Sequence, residues 1–187
     1  MLAILEKPEI LRHALPLSVA AYERIAELGL VQEKTELVRG VIFEKMSKSP
    51  LHSGLIQLLI ELLRPHLPDA CSLRIEQPLR LSDSCPEPDL AVVSGSARDF
   101  LRAHPATARL IIEIAVSSEA LDREKAPLYA EAGVEEYWIV LPESGIIECF
   151  TQPEAGIYRH QQRIGPGAVA VSTSLPGLAV DLSDLLK

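Results

Sequence analysis

The stretch from Pro88 to Lys125 constrains this chain more than any other part of the sequence. Asp89 opens one apolar run, and Glu113 interrupts a second apolar run at Leu110–Val116. Lys125 follows in a polar segment with helical character. Burying an ionised carboxylate costs free energy unless the group is paired or binds a cation. Two carboxylates in neighbouring core strands, followed by a lysine, therefore indicate a divalent-metal site for phosphate chemistry.

Each of these residues also has an ordinary structural interpretation. Asp89 follows a proline and could be a turn residue that starts a strand. Glu113 could be stabilised by an ion pair with an arginine such as Arg74 or Arg80. Lys125 could be a solvated lysine on a charged helix face. The metal interpretation is favoured because it explains the two buried carboxylates together.

Two further residues are candidates for the same region. Glu36 begins a segment, Glu36–Met46, that is typical of a β-hairpin around Gly40 or of two strand pieces bent at a bulge there. Its carboxylate could contribute to the site, or it could pair with Lys34 or Lys45 across the hairpin. His52 falls in the first turn of a helix, where a histidine more often caps or packs, and it is left out of the catalytic set.

The remaining pattern predicts a mixed α/β (α+β) domain that spans residues 1–187, with a central mixed sheet covered by helices on both sides. Ser49-Pro50 is an N-cap followed by proline at the first helical position, and leucines then recur at helical spacing. The predicted helices cover Val19 to Leu28, Pro50 to near Pro65, a short helix around Ala97–Ala103, and Ser117 to about Ala132. Pro127 implies that the last helix either starts late, with Pro127 in its first turn, or kinks there. The segment 72–81 is predicted as a pair of short strands or as one strand broken by Pro78, and further strands are predicted at 88–93, 110–116, 136–141, 146–150 and 157–163.

Composition narrows the class of protein. No apolar run is long enough to span a membrane, and the first residues do not resemble a signal peptide. The three cysteines have no metal-site spacing, which favours reduced thiols in a cytoplasmic protein. The net charge of −8 argues against a broadly basic nucleic-acid surface, although bound metal ions reverse the local sign of a carboxylate site. The absence of asparagine favours a thermophilic source.

An ordered set of motifs across nearly the whole chain resembles a known family. The set consists of Glu36–Gly40, the helix near His52, Glu87–Val93, Ile112–Ser117, Lys125–Val140 and Leu175–Leu182. Together these segments are similar to the bacterial "Uma" group of restriction endonuclease-like proteins, which belongs to the PD-(D/E)xK nuclease superfamily.

The resemblance implies a restriction endonuclease-like core in which Asp89 and Glu113 ligate Mg²⁺ or Mn²⁺. The usual lysine two residues after the strand glutamate is replaced by Ala115, and Lys125 in the next helix matches the lysine of this group. Lys125 would orient the attacking water or stabilise charge on the phosphate. Glu36 would hydrogen-bond a metal-bound water or help to hold a second ion. The chain departs from the group at auxiliary positions, where Arg39 and Val41 replace acidic residues and Asp122 precedes Lys125 by three residues instead of four.

Three functions follow as hypotheses. The first is a Mg²⁺-dependent DNA endonuclease, for which a homodimer is the simplest way to cut both strands. The second is a non-catalytic nuclease-fold scaffold that binds nucleic acid or protein. The third is a metal-dependent hydrolase that acts on RNA or a nucleotide. No recognition module is evident, so we expect any specificity to come from loops such as residues 94–108 or from the N-terminal segment.

Overall fold

The structure is a computed structural model that describes residues 7–32, 34–45 and 48–187. Met46, at the end of the predicted hairpin, lies outside the described residues. No helix within the described ranges is long and apolar enough to cross a membrane.

A six-stranded sheet forms the centre of the fold. Its strands are β3 (Cys71–Ile75), β4 (Leu90–Ser94), β5 (Leu110–Ile114), β6 (Glu136–Leu141), β7 (Ile146–Glu154) and β8 (Ile157–Ile164). They lie side by side in this order, and neighbouring strands are antiparallel except for the parallel pair β5 and β6. All residues of β5 and β6 are buried, as expected for strands covered on both faces.

Helices cover both faces of this sheet, which confirms the predicted mixed architecture. Leu55, Leu59 and Leu63 of one helix pack with Ile112 and Trp138 on one face. A second helix packs Leu128 and Tyr129 against the opposite face. The helices are α1 (Pro8–Leu11), α2 (Val19–Glu27), α3 (Pro50–Leu63), α4 (Glu119–Glu131) and α5 (Leu182–Leu185), with short 3-10 turns at Arg64–His66 and Ala97–Phe100.

The predicted hairpin forms beside the main sheet. Strands β1 (Thr35–Val38) and β2 (Val41–Glu44) pair antiparallel around Arg39 and Gly40, which both have positive φ angles. A side chain at Gly40 would also collide with Pro16, because an added Cβ would lie 2.3 Å from the Pro16 Cβ. A second small pair, β9 (Ala170–Val171) and β10 (Ala179–Val180), closes the C-terminal part of the fold.

Several boundaries differ from the prediction. In the segment 72–81, predicted as two short strands or one strand broken by Pro78, the strand ends at Ile75. The short helix predicted around Ala97–Ala103 is a 3-10 helix of four residues, Ala97–Phe100. The strands of the β7–β8 hairpin extend further than 146–150 and 157–163, because backbone pairing continues to Glu154. Helix α4 begins at Glu119 and continues through Pro127, so the alternative in which Pro127 occupies its first turn is wrong.

Candidate functional site

The four predicted site residues come from four separate elements and meet at one cavity. Glu36 lies in β1, Asp89 directly precedes β4, Glu113 lies in β5 and Lys125 lies in α4. All four are buried, and all four line a cavity of about 160 Å³. The fold therefore brings together residues that are separated by as many as 89 positions in the sequence.

Strand register explains why Asp89 and Glu113 are adjacent. Leu90 pairs with Ile112 in the antiparallel β4–β5 ladder. Asp89 precedes Leu90 and Glu113 follows Ile112, so the two acidic residues are neighbours. The Asp89 backbone N–H donates to Glu113 Oε2 at 3.2 Å, and the Ile114 N–H donates to Asp89 Oδ2 at 2.8 Å. Each carboxylate is thus held by a backbone N–H group of the segment opposite it.

Lys125 lies among three carboxylates. Its Nζ is 2.8 Å from Glu36 Oε1, 3.1 Å from Glu113 Oε1 and 3.3 Å from Asp122 Oδ1. Asp122 is one of the auxiliary positions at which the sequence departs from the Uma group, and its spacing of three still places it against Lys125. An ammonium has three N–H donors, and three carboxylates lie within 3.3 Å of this one.

Two buried tyrosines, Tyr129 and Tyr137, hydrogen-bond to residues of the charged cluster. The Tyr129 hydroxyl donates to Glu113 Oε1 at 3.2 Å, and the Tyr137 hydroxyl donates to the Asp122 carbonyl at 2.9 Å. Tyr129 is one helical turn from Lys125, and both side chains reach the same carboxylate. The Tyr129 hydroxyl therefore belongs to the immediate surroundings of Glu113.

Burial and the excess of carboxylates change the acid–base properties of the cluster. Burial raises the pKa of Glu113 to about 8; Lys125 opposes this shift, while Asp122 and Asp89 add to it. Burial also raises the pKa of Asp122 above its ordinary range. For Lys125, burial alone would lower the pKa, but the carboxylates of Glu113 and Glu36 raise it above the usual lysine value. The cluster therefore has more negative charge than one ammonium can balance.

The sequence-based prediction left His52 out of the catalytic set, but the structure places it in the cavity. Its Nε2 lies 3.1 Å from Asp89 Oδ2, and its Nδ1 is buried without a partner among the described residues. Ser49 caps α3 by accepting a hydrogen bond from the His52 backbone N–H. The Ser49-Pro50 helix start was the only sequence signal that bore on the position of His52, since it fixes the helical turn on which His52 lies. It could not indicate the contact with Asp89, which is distant in sequence.

The two arginines suggested as ion-pair partners of Glu113 contact other residues. Arg74 contacts the Pro78 carbonyl and His104, and Arg80 pairs with Glu23. Neither arginine therefore stabilises Glu113.

Glu36 pairs with Lys125 and not across the hairpin. Lys45, one of its two suggested hairpin partners, pairs with Glu87 instead. Sequence reasoning missed this second ion pair. Lys45 and Glu87 both line the cavity.

The donor chemistry of the cavity fits a hard divalent cation. Mg²⁺ prefers carboxylate oxygens, needs only one or two of them and keeps several waters. No donor among the described residues hydrogen-bonds Asp89 Oδ1, so this oxygen is available to a cation. The negative charge of the clustered carboxylates would attract such a cation. Within the same described residues, no three or more His, Cys, Asp or Glu side chains are already arranged as a metal site.

Comparison with solved structures shows the class of fold. The chain matches a crystal structure described as a putative nuclease belonging to DUF820 from Anabaena variabilis, with a TM-score of 0.72 and 15% sequence identity. The match covers 87% of this chain and 96% of that chain. Together with the six-stranded mixed sheet and its flanking helices, this likeness shows a nuclease-like α+β fold.

The sequence comparison then gives the family. Residues 19–183 match the Uma2 family, which is described as "Putative restriction endonuclease". The match spans most of the chain, and the protein belongs to the Uma2 family. A search of curated proteins finds no significant match.

Proposed function

We propose that this protein is a Mg²⁺-dependent DNA endonuclease whose site is the cavity that contains Asp89, Glu113, Lys125 and Glu36. The observation that carries the proposal is the convergence of these buried charged residues at one cavity, in a chain of a family described as "Putative restriction endonuclease". A fold alone does not define a function, so the proposal depends on the charges and geometry of this site.

The chemistry assigns a role to each side chain. A bound Mg²⁺ supplies Lewis-acid polarisation of the phosphate and lowers the pKa of a coordinated water. Asp89 and Glu113 would hold the ion, and the backbone contacts to both carboxylates keep them oriented. Glu36 would accept a hydrogen bond from the attacking water. Lys125 holds Glu36 and Glu113 together and adds positive charge beside the developing phosphorane.

Plasmid cleavage with Mg²⁺ or Mn²⁺ tests the proposal. We expect Asp89→Asn to lose cleavage while it keeps its circular dichroism spectrum, because the side chain remains nearly isosteric. Glu148→Gln is the matched control, since Glu148 is also a buried strand carboxylate but pairs with Arg123 and lies outside the cavity. Retained cleavage in Asp89→Asn would contradict the assigned site.

One observation favours the scaffold as a second candidate. Lys125 already gives three carboxylates a common counter-ion, so the cluster is partly neutralised without a metal. A scaffold could keep such a cluster as a buried ion-pair network. Calorimetric titration with Mn²⁺ separates the candidates, because a scaffold of this kind would bind no metal at the cavity.

A further inference from the structure

Two lysines of the cavity, the buried Lys125 and the half-buried Lys45, differ in how their N–H donors are used. Lys125 directs its ammonium to three carboxylates, and its side chain is only 5% exposed. Lys45 donates to the Glu87 carbonyl and to Glu87 Oε2, both at 2.8 Å, and its side chain is 19% exposed. Since an ammonium has three N–H bonds, Lys45 keeps one that has no acceptor among the described residues.

The position of Lys45 also suits contact with an incoming anion. Its anchor, Glu87, lies two residues before Asp89, so the ammonium is held beside the loop that carries a predicted metal ligand. Among the described residues that line the cavity, the lysines and arginines are Lys45, Lys48 and Lys125. Lys48 is 41% exposed and pairs with Glu76, so it is less constrained than Lys45.

We propose that Lys45 contacts a phosphate of the bound nucleic-acid strand, whereas the ammonium of Lys125 stays within the carboxylate cluster. The inference rests on the proposed function, because it assigns the substrate contact of the same cavity. A phosphodiester that approaches a carboxylate-lined cavity is repelled unless a cation meets it at the entrance. Lys45 meets this need with an N–H that no described acceptor uses, and it is already oriented by its two bonds to Glu87.

The Lys45–Glu87 pair offers a test in which two variants should act in opposite directions. Binding of a short fluorescein-labelled DNA duplex is measured by fluorescence anisotropy in Ca²⁺, with a single-stranded DNA of the same sequence as a second probe. We expect Lys45→Met to weaken binding roughly tenfold and to reduce the salt-dependence slope by about one. Glu87→Gln removes the same ion pair but also a negative charge, so we expect it to bind DNA as well as the parent or more tightly.

Two further variants define the contact. Lys45→Arg keeps the cation and is expected to retain most of the binding and the parent slope. Lys48→Met removes an equal charge from the same cavity wall and is expected to weaken binding less than Lys45→Met. Thermal unfolding of each variant checks that the fold is intact.

Three results would overturn the proposal. Equal losses in Lys45→Met and Glu87→Gln would mean that Lys45 acts only through its ion pair. Equal losses in Lys45→Met and Lys48→Met would mean a general charge effect, and a parent that binds neither probe would remove the contact altogether. Failure of the proposed function gives a different result, namely a parent that binds DNA with a Lys45-dependent slope but does not cleave it with Mg²⁺ or Mn²⁺.

Discussion

Two buried glutamates on neighbouring parallel strands have opposite kinds of surroundings. Glu113 lies near the end of β5, where its partners are an ammonium, a tyrosine hydroxyl and a backbone N–H, and where other carboxylates crowd it. Glu136 begins β6 and is fully buried, but its partners among the described residues are all neutral donors. These donors are the Trp138 indole, the Ser172 and Ser174 hydroxyls, and the Thr173 and Ser174 backbone N–H groups.

The comparison shows that burial of a carboxylate does not by itself identify a functional site. Glu136 has its hydrogen-bonding capacity filled, and it ties the segment 172–174 to the sheet. Glu113 shares one ammonium with two other carboxylates beside a cavity, and its pKa is raised. Competition among like charges next to an open space is the feature that points to a cation and to chemistry.

The largest expected difference between the two residues is in cleavage. We expect Glu113→Gln to lose at least about 100-fold in metal-dependent plasmid cleavage, the size of effect seen when one preorganised charge-stabilising group is removed from an enzyme site. Glu136→Gln should cleave at the parent rate per folded molecule. Equal activity in the two variants, measured at matched folded concentrations, would break the distinction.

For the free energy of unfolding, unlike for cleavage, we expect Glu136→Gln to have a larger effect than Glu113→Gln. Glu136→Gln replaces an acceptor-only group with an amide, so at least one of its buried donors loses its acceptor. We expect the free energy of unfolding to fall by about 1–3 kcal/mol. Urea unfolding monitored by circular dichroism measures this change, and an unchanged midpoint would show that the neutral donors are not anchored by Glu136.

The pH dependence of stability should also report on the surroundings of Glu113. Burial raises the pKa of Glu113 from 4.5 to about 8, so the folded state binds this proton more tightly than the unfolded state. The stability that this proton contributes is fully present below about pH 4.5 and is lost as the pH rises through about 8. In the metal-free protein, stability should therefore decline across this window relative to Glu113→Gln. Urea unfolding in EDTA at several pH values tests this, and a parent-to-variant difference independent of pH would contradict it.

The smallest effects come from single hydroxyl donors. Ser174→Ala and Tyr129→Phe each remove one hydroxyl that hydrogen-bonds a buried glutamate. We expect each to lower the free energy of unfolding by about 0.5–1.5 kcal/mol. Only Tyr129→Phe should also change the cleavage rate, because Tyr129 contacts Glu113. A change in cleavage with Ser174→Ala at unchanged folded fraction would count against the comparison.

The sequence allowed much of the fold to be predicted. The helix that starts at Ser49-Pro50 and the apolar strands at 110–114 and 136–141 lie where local patterns indicated, because capping and continuous burial leave clear signatures. Pro127 was misleading, since a proline inside a helix costs stability that tertiary packing of Leu128 and Tyr129 offsets. The length of the β7–β8 hairpin depends on pairing that local polarity does not show.

The site could be predicted only in part. Asp89 and Glu113 stood out because charge is unexpected in apolar strands, and Lys125 stood out because the order of the three residues resembles the Uma group. The contacts of His52 with Asp89 and of Lys45 with Glu87 join residues 37 and 42 positions apart, so no local pattern reveals them. The assignment of Asp89 and Glu113 as metal ligands stays a prediction.

Calorimetric titration of Mn²⁺ into the parent, Asp89→Asn and Glu136→Gln is the most direct test of the distinction between the two buried sites. If the cavity is the metal site, the parent and Glu136→Gln bind the ion with similar affinity, and Asp89→Asn shows no binding heat at the same concentrations. If the folded parent binds no metal, or if Asp89→Asn binds it as tightly as the parent, the assignment of this cavity as a metal-dependent nuclease site is wrong.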